Sequence, residues 1–432
     1  MRLPPRRTRS LPVPVRPARP ARPGLRKGDA EALLLARRWR RWSKVAAVLF
    51  AIGAITGMVL SFELGILWPG LMKKYGAAFG FPFAIEGLFF SLEAIFVAIC
   101  IYGWDRMPPW AHFWSGVPVP LAILGGTTAA IAANSWTNKP GGFTVKDGQM
   151  IAVQQGKVFF NDAFWLEFPH MFLAAYIVAG FVVAGVYAVD MLRGRRTRSH
   201  RLGFLTGFVV AACALPVQIV VGDTIARYVF DKEPLKFAAI ELQPSTGTHV
   251  PETLGGVLID GEVGYGIKIP DLASLLAGFR PSVVIKGLEA VPVEVRPTVA
   301  QTNIVHWAFD IMVGTSSFML ATSRWFLLAA SFCALASIAC LESGWVVTEV
   351  GRQPLVVVGH LLTRDAVATQ GNLWPFFSSV PALYLAVDAA ALRELWSIKR
   401  RWEQRGDHSV SVPYGPEQGD DRPPESIEGT VS

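Results

Sequence analysis

The chain has 432 residues, of which 52% are hydrophobic and only 17% charged. An ordinary soluble domain carries about 25% charged residues, so the composition excludes one and points to a body embedded in lipid. The formal charge of +8 sits at one end: residues 1–44 hold 14 Lys and Arg against 2 acids, and the remaining 27 basic and 31 acidic residues leave the rest net −4. That placement excludes a basic nucleic-acid-binding surface, and no nucleic-acid partner is expected. The four cysteines (Cys100, Cys213, Cys333, Cys340) form no C-x-x-C pair, which excludes a Cys-rich zinc fold, c-type haem attachment and a disulfide scaffold.

In chain order, residues 1–43 read as a basic Arg/Pro-rich tail without fixed structure, since residues 1–28 hold nine basic residues, seven prolines and no acid. Eight apolar runs follow, near 45–67, 83–103, 111–134, 163–189, 202–222, 304–321, 326–348 and 373–392. Each approaches the roughly 20 residues that a bilayer crossing needs. The fold expected is an all-α integral membrane bundle of about eight helices. Five spans lie within 44–222 and three within 304–395. Only Thr322-Ser323-Arg324-Trp325 separate the sixth and seventh runs, yet one helix of their combined length would be too long for a single crossing. Residues 223–303 form a large extracytoplasmic loop with no sustained helical or strand period, and 396–432 form a polar cytoplasmic tail. The basic N-terminal stretch, the 190–201 loop and the 393–405 stretch fall on one side of an eight-span bundle, so both termini are expected in the cytoplasm.

Ionisable residues inside the spans are the natural functional candidates. Glu86 and Glu93 are seven residues apart, two helical turns, on one face. Such a pair could relay protons or place a carboxylate on a metal; alternatively it packs helices in neutral form. His170 lies among aromatics in Phe168-Pro169-His170-Met171-Phe172, and Met312 follows His306 and Asp310 in the sixth span. A buried His and a Met from different helices could ligate haem iron axially, or simply pack. Glu342 and Glu349 flank the outer end of the seventh span, and Arg352 follows at the membrane edge. Its fork could hold a haem propionate or another carboxylate, or cap the helix. Lys236 and Glu241 bracket Phe237-Ala238-Ala239-Ile240 in the outer loop, where they could hydrogen-bond a quinol head or form a solvated ion pair. Asp388 in the last span suggests a third possibility, a proton-coupled transporter using Glu86, Glu93 and Asp388, although no inverted repeat supports it.

Taken together, the strings resemble subunit I of the cytochrome bd-type quinol oxidases. They are Phe62-Glu63-Leu64-Gly65, Ala84-Ile85-Glu86-Gly87 with Glu93, Tyr102-Gly103-Trp104-Asp105-Arg106 and Asn134-Ser135-Trp136. Then come His170, Gly222-Asp223, Lys236 to Glu241, Phe309-Asp310-Ile311-Met312, Glu342-Ser343-Gly344-Trp345 and Gly351-Arg352-Gln353-Pro354. They stand in family order over residues 37–395. The resemblance implies a respiratory enzyme of the bacterial plasma membrane that oxidises quinol near the outer face and reduces dioxygen to water. It implies His170 and Met312 as ligands of a low-spin haem b, and Glu342 as a ligand at a high-spin pair of haem b and haem d. Glu86 and Glu93 would then lie on the proton path, with Glu86 also a possible iron ligand. Lys236 and Glu241 would be quinol residues, and Arg352 would steady the haems. It further implies a partner subunit II, sometimes a small third subunit, and surrounding lipid.

The chain also departs from the family pattern. Arg/Pro-rich sequence stands where the family has a further, His-bearing first span, and no His precedes His112. The stretch from Met312 to Glu342 is shorter than usual, and Leu355 stands where Trp normally follows Gly-Arg-Gln-Pro. A diverged relative that keeps low-spin haem b and quinol but not oxygen reduction is the alternative these departures suggest.

Overall fold

The computed structural model describes residues 27–405, apart from 147–148, 323–325 and 370–372. The chain is built from helices α1 (Lys27–Leu67), α2 (Pro69–Tyr102), α3 (Pro109–Gly116) and α4 (Pro118–Asn138). A hairpin of β1 (Thr144–Lys146) and β2 (Gln149–Ile151) leads through α5 (Gln155–Phe159) to α6 (Phe164–Leu192) and α7 (Arg198–Lys232). Beyond α8 (Pro234–Ile240) come β3 (Glu252–Leu254), β4 (Val257–Ile259), β5 (Glu262–Gly264), β6 (Ile267–Ile269) and α9 (Leu272–Gly278). The last part comprises α10 (Val299–Thr322), α11 (Phe326–Val350), β7 (Leu355–Val357), β8 (Leu361–Leu362), α12 (Thr363–Ala366) and α13 (Trp374–Arg405). Among the described residues, eight helical segments are long and apolar enough to cross a membrane. The sixth and seventh spans are two separate helices, α10 and α11, packed side by side.

Three expected boundaries shift. Helix begins at Lys27, inside the stretch read as an unstructured tail over 1–43, because Ala30 to Arg38 is almost entirely Ala, Leu, Glu and Arg, the strongest helix formers. The expectation for residues 1–26 lies outside the described residues. At the other end α13 runs to Arg405, past the expected tail boundary at 396, and residues 406–432 also lie outside. The outer loop is shorter than 223–303, since α7 continues to Lys232 and α10 starts at Val299.

That outer segment is folded, although its sequence shows no sustained period. Antiparallel pairs β3–β6 and β4–β5 carry it, the second closed by Asp260-Gly261, both at positive φ (51° and 85°). Asp-Gly supplies the left-handed backbone that a two-residue hairpin turn requires. Phe237, Ile240, Leu242, Val250, Leu258, Ile285 and Leu288 form a dry core beneath it, joined to Val229 of α7 and Val305 of α10. The segment is therefore a cap docked on the bundle.

Inside the bundle the most extensive contacts join α6 with α7, α6 with α11, α10 with α11, and α2 with α4. The α6–α7 crossing uses small residues at four-residue spacing: Gly180, Ala184 and Ala188 face Gly203, Gly207 and Ala211. A Cβ on Gly207 would stand 2.6 Å from the Gly180 carbonyl oxygen, and one on Gly180 would stand 2.7 Å from that of Gly207. Lipid tails are as apolar as Leu, so association here depends on such close approach.

The two ends of the bundle differ. At one end Trp42 donates to the Tyr187 hydroxyl (3.0 Å), Arg40 pairs with Asp105 (2.8 Å), and Arg41 lies over the Trp402 ring. The start of α1 and the ends of α6 and α13 thus meet there, together with their basic residues. At the opposite end the Ala368 N–H bonds to the Leu67 carbonyl and the Val358 N–H to the Thr137 carbonyl. The cap lies at that second end.

Because the backbone on both sides of the α6–α7 crossing is rigid, Gly207→Val should destabilise the protein by about 1–3 kcal/mol. Gly53→Ala in α1, with nothing within 4 Å of the added methyl, should be neutral or slightly stabilising. Thermal unfolding of the two variants in detergent measures the contrast.

Candidate functional site

The first site element lies between α6, α7, α10 and α11. His170 is on α6, directly after Pro169, and its Nδ1 is buried with no hydrogen-bond partner. A Cβ on Gly222 of α7 would approach His170 Cε1 to 3.5 Å, and one on Gly344 of α11 would approach the Met312 sulfur to 3.4 Å. The imidazole and the thioether thus each lie against a glycine of the neighbouring helix. An aromatic wall of Phe164, Phe168 and Trp345 stands nearby, with Met171 packed into the same cluster. A buried imidazole with a free ring nitrogen and a soft sulfur, each beside a glycine, suit a flat, iron-bearing macrocycle.

The second element is a polar network at the cap end. Asn134 of α4 donates to Glu349 of α11 (2.7 Å), and Arg352 donates both to Glu349 and to the Thr137 hydroxyl. The Arg352 Nε remains buried without an acceptor, which suits an additional anionic ligand such as a propionate. Lys236 lies across Gly351, where a Cβ would meet its Cγ at 3.2 Å and its Cε at 3.1 Å. It pairs with Glu233 at 2.7 Å, with side chains only 7% and 5% exposed. Beside them Asn138 donates to Glu167 (2.8 Å), and the hydroxyl of Tyr228 is buried and unpaired.

The third element lies under the cap. Glu241, at the end of α8, is buried, as is Glu252, the first residue of β3. Burial first, and then the negative charge of Glu252, pushes the Glu241 carboxyl well above the usual carboxylate range; burial also raises Glu252. His306 of α10, 1% exposed, holds the Ile240 carbonyl through Nδ1 at 2.7 Å, so this nitrogen carries the proton. Asp310, one turn further along α10, accepts from the Gly255 N–H at 2.6 Å.

These placements separate residues that look adjacent in sequence. Lys236 and Glu241 do not form a solvated ion pair with each other; both are buried, and Lys236 pairs with Glu233. Arg352 is joined to Glu349, two helical turns beyond Glu342, while Glu342 is exposed on α11. Glu86 and Glu93 are half-buried on α2, and neither has a hydrogen-bond or ion-pair partner among the described residues. No group of three or more His, Cys, Asp or Glu able to hold a metal ion occurs among the described residues. Reading the sequence misses Glu233 as a partner and Glu252 as a second buried acid. Glu233 lies three residues before Lys236, a spacing that signals a helical neighbour; Glu252 carries no such signal.

The family model for cytochrome bd terminal oxidase subunit I matches residues 24–401. The chain belongs to that family. A putative cytochrome bd menaquinol oxidase subunit I from Bacillus subtilis is 29% identical over 378 residues, covering 82% of this chain and 84% of the relative. A cytochrome bd ubiquinol oxidase subunit 1 from the same organism is 29% identical over 411 residues, covering 87% and 86%. Among solved structures, bd oxidase from Geobacillus thermodenitrificans superposes with a TM-score of 0.78 at 28% identity, covering 87% of this chain and 89% of that one. The activity of the family is quinol:oxygen oxidoreduction by a terminal respiratory oxidase. Haem cofactors and a quinol donor go with it, as does a complex with subunit II.

Arg352→Leu leaves Glu349 with Asn134 alone and frees the Thr137 hydroxyl. The loss of charge-assisted hydrogen bonds should cost about 1.5–3 kcal/mol. Arg352→Lys, which keeps the charge but not the fork, should recover only part of that, as melting temperatures of the detergent-solubilised protein would report.

Proposed function

We propose that the chain binds quinol at the cap end and that His170 and Met312 would hold a low-spin haem b. The supporting observation is the pair itself: an imidazole with an unpaired buried nitrogen and a thioether, each set against a glycine of a neighbouring helix. A haem bound there supplies reversible one-electron chemistry, which neither residue provides alone. His170 and Met312 would hold the haem iron. Arg352 offers its unpaired Nε to a propionate, while Glu349 and Thr137 fix the guanidinium plane.

At the cap, Lys236 supplies a positive donor held in place by Glu233 and by the surface of Gly351. Glu241 supplies a base for the quinol hydroxyl. Dioxygen reduction is assigned to a high-spin pair of haem b and haem d, with Glu342 and Glu86 as iron-side carboxylates and Glu93 one step further along the proton path. The two carboxylates of α2 lie two turns apart and lack protein partners, which suits groups that must take up and release protons. The ring chemistry of the third haem and the quinol type both fall within this proposal, which covers ubiquinol and menaquinol alike. Subunit II, and a small third subunit, would cover the lipid-facing helices.

The enzyme is assigned to the bacterial plasma membrane with both termini in the cytoplasm. Basic residues at the α1, α6 and α13 ends share one end of the bundle, as the positive-inside bias requires. The cap and its quinol site then face outward.

His170→Ala in the complex with subunit II should lose the low-spin haem b absorbance and quinol-driven oxygen uptake together. Reduced-minus-oxidised spectra and an oxygen electrode check this. A variant that kept the low-spin signal would remove His170 from the iron.

A further inference from the structure

The end of α8 leaves one carbonyl that its own backbone does not satisfy. The Glu241 N–H goes to the Phe237 carbonyl (3.0 Å), the Gln243 N–H to that of Ala238 (2.8 Å) and the Leu242 N–H to that of Ala239 (3.4 Å). Pro244 has no N–H to give. The Ile240 carbonyl thus receives no backbone N–H among the described residues, and Ile240 is only 6% exposed. Its donor comes from another element. His306 of α10, 1% exposed, donates to it through Nδ1 at 2.7 Å. A buried carbonyl without a donor is costly, so the imidazole completes the helix end.

His306 is one of three α10 side chains that hold cap backbone. Asn303 grips Leu258 twice, accepting from its N–H (2.7 Å) and donating to its carbonyl (3.1 Å). Asp310 accepts from the Gly255 N–H at 2.6 Å. The three stand at i, i+3 and i+7, on one stripe of the helix. The second ring nitrogen of His306, Nε2, lies 3.5 Å from Asp310 Oδ2, so the ring bridges the α8 end and the acid one turn along α10. Of the three cap points held, only the one at His306 adjoins a residue assigned to quinol.

That residue, Glu241, is fixed from both sides. Before it stands the carbonyl held by His306. After it stands Leu242, in left-handed backbone (φ 47°) and 1% exposed within the cap core. A leucine keeps that conformation only where its surroundings enforce it. Take away the bond to Ile240 and the strained turn is free to relax, carrying the Glu241 carboxyl with it. Lys236 has separate anchors in Glu233 and the surface of Gly351, so its place does not depend on His306.

We propose that His306 is a positioning residue for quinol oxidation: it ties the α8 end to α10 and so sets where the Glu241 carboxyl stands. This inference rests on the assignment of Glu241 to the quinol site. His306 acts through the Ile240 carbonyl. Its loss leaves Lys236 able to bind quinol and misplaces the base.

The experiment uses the complex with subunit II in membranes and follows quinol-driven oxygen uptake against quinol concentration. His306→Leu should lower kcat about tenfold to a hundredfold, the scale of a catalytic group displaced by about an ångström, with KM within about twofold of wild type. Reduced-minus-oxidised spectra should keep the full low-spin haem band. His306→Asn places an amide nitrogen at the level of Nδ1 and should recover most of kcat. His306→Gln carries its amide one bond further out and should not. Asn303→Ala gives up only the hold on Leu258, so it should lower the melting temperature and leave kcat within about twofold.

An unchanged kcat in His306→Leu overturns the proposal, as does loss of the low-spin band, or an equal fall of kcat in Asn303→Ala. If His306→Leu does not accumulate, the other two replacements decide, and equal kcat in His306→Asn and His306→Gln overturns it. Glu241→Gln separates the two assignments. If it abolishes quinol-driven uptake while His306→Leu matches wild type, the quinol site stands and the positioning role falls. If Glu241→Gln is itself silent, the quinol site falls and the positioning role with it.

Discussion

A guanidinium at the edge of a bilayer must find acceptors within the protein, and the way Arg352 finds them organises the cap end of this molecule. Its fork joins Glu349 on its own helix to Thr137 on α4, and Glu349 is also held by Asn134. Two helices distant in sequence are thereby pinned at one level. Gly351, immediately before it, presents the bare surface over which Lys236 lies, so the cap docks onto the same corner. Remove the fork and the α4 to α11 contact, the seat of Lys236 and the approach to a propionate are all disturbed.

Below that corner the bundle meets two opposed demands. Helix association in lipid requires tight backbone approach, and α6 and α7 achieve it where Gly180 and Gly207 leave no room for a Cβ. A cofactor requires the opposite. Further along α7, Gly222 lies against His170 at ordinary contact distance for an added methyl, and Gly344 does so against Met312. One residue type thus excludes a Cβ at one level of the bundle and admits it at another, and the neighbouring residue decides which.

How much of this could be read from the sequence follows from the range of the forces involved. Lipid imposes a uniform requirement for about 20 apolar residues, so eight spans are legible in composition alone. Their ends are not, because helix continues past the apolar run, as at Lys27 and Lys232. The family strings bring His170, Met312, Lys236, Glu241 and Arg352 into view as types in order, but not as partners. Arg352 meets Thr137 across 215 residues, and Glu252 takes its buried place in the cap as part of the β3–β6 pair. Local chemistry could have revealed more: Asp260-Gly261 marks a hairpin in the cap, and the four-residue spacing of small residues on α6 and α7 marks their crossing.

The central claim is that one helix offers an imidazole and another a thioether to the same iron. Near-infrared magnetic circular dichroism of the oxidised complex reads axial ligation directly. The account predicts a histidine–methionine charge-transfer signature for the low-spin haem, lost when Met312 is replaced by Ala while His170 stays in place. A bis-histidine signature, or a low-spin signal unchanged in Met312→Ala, would contradict it.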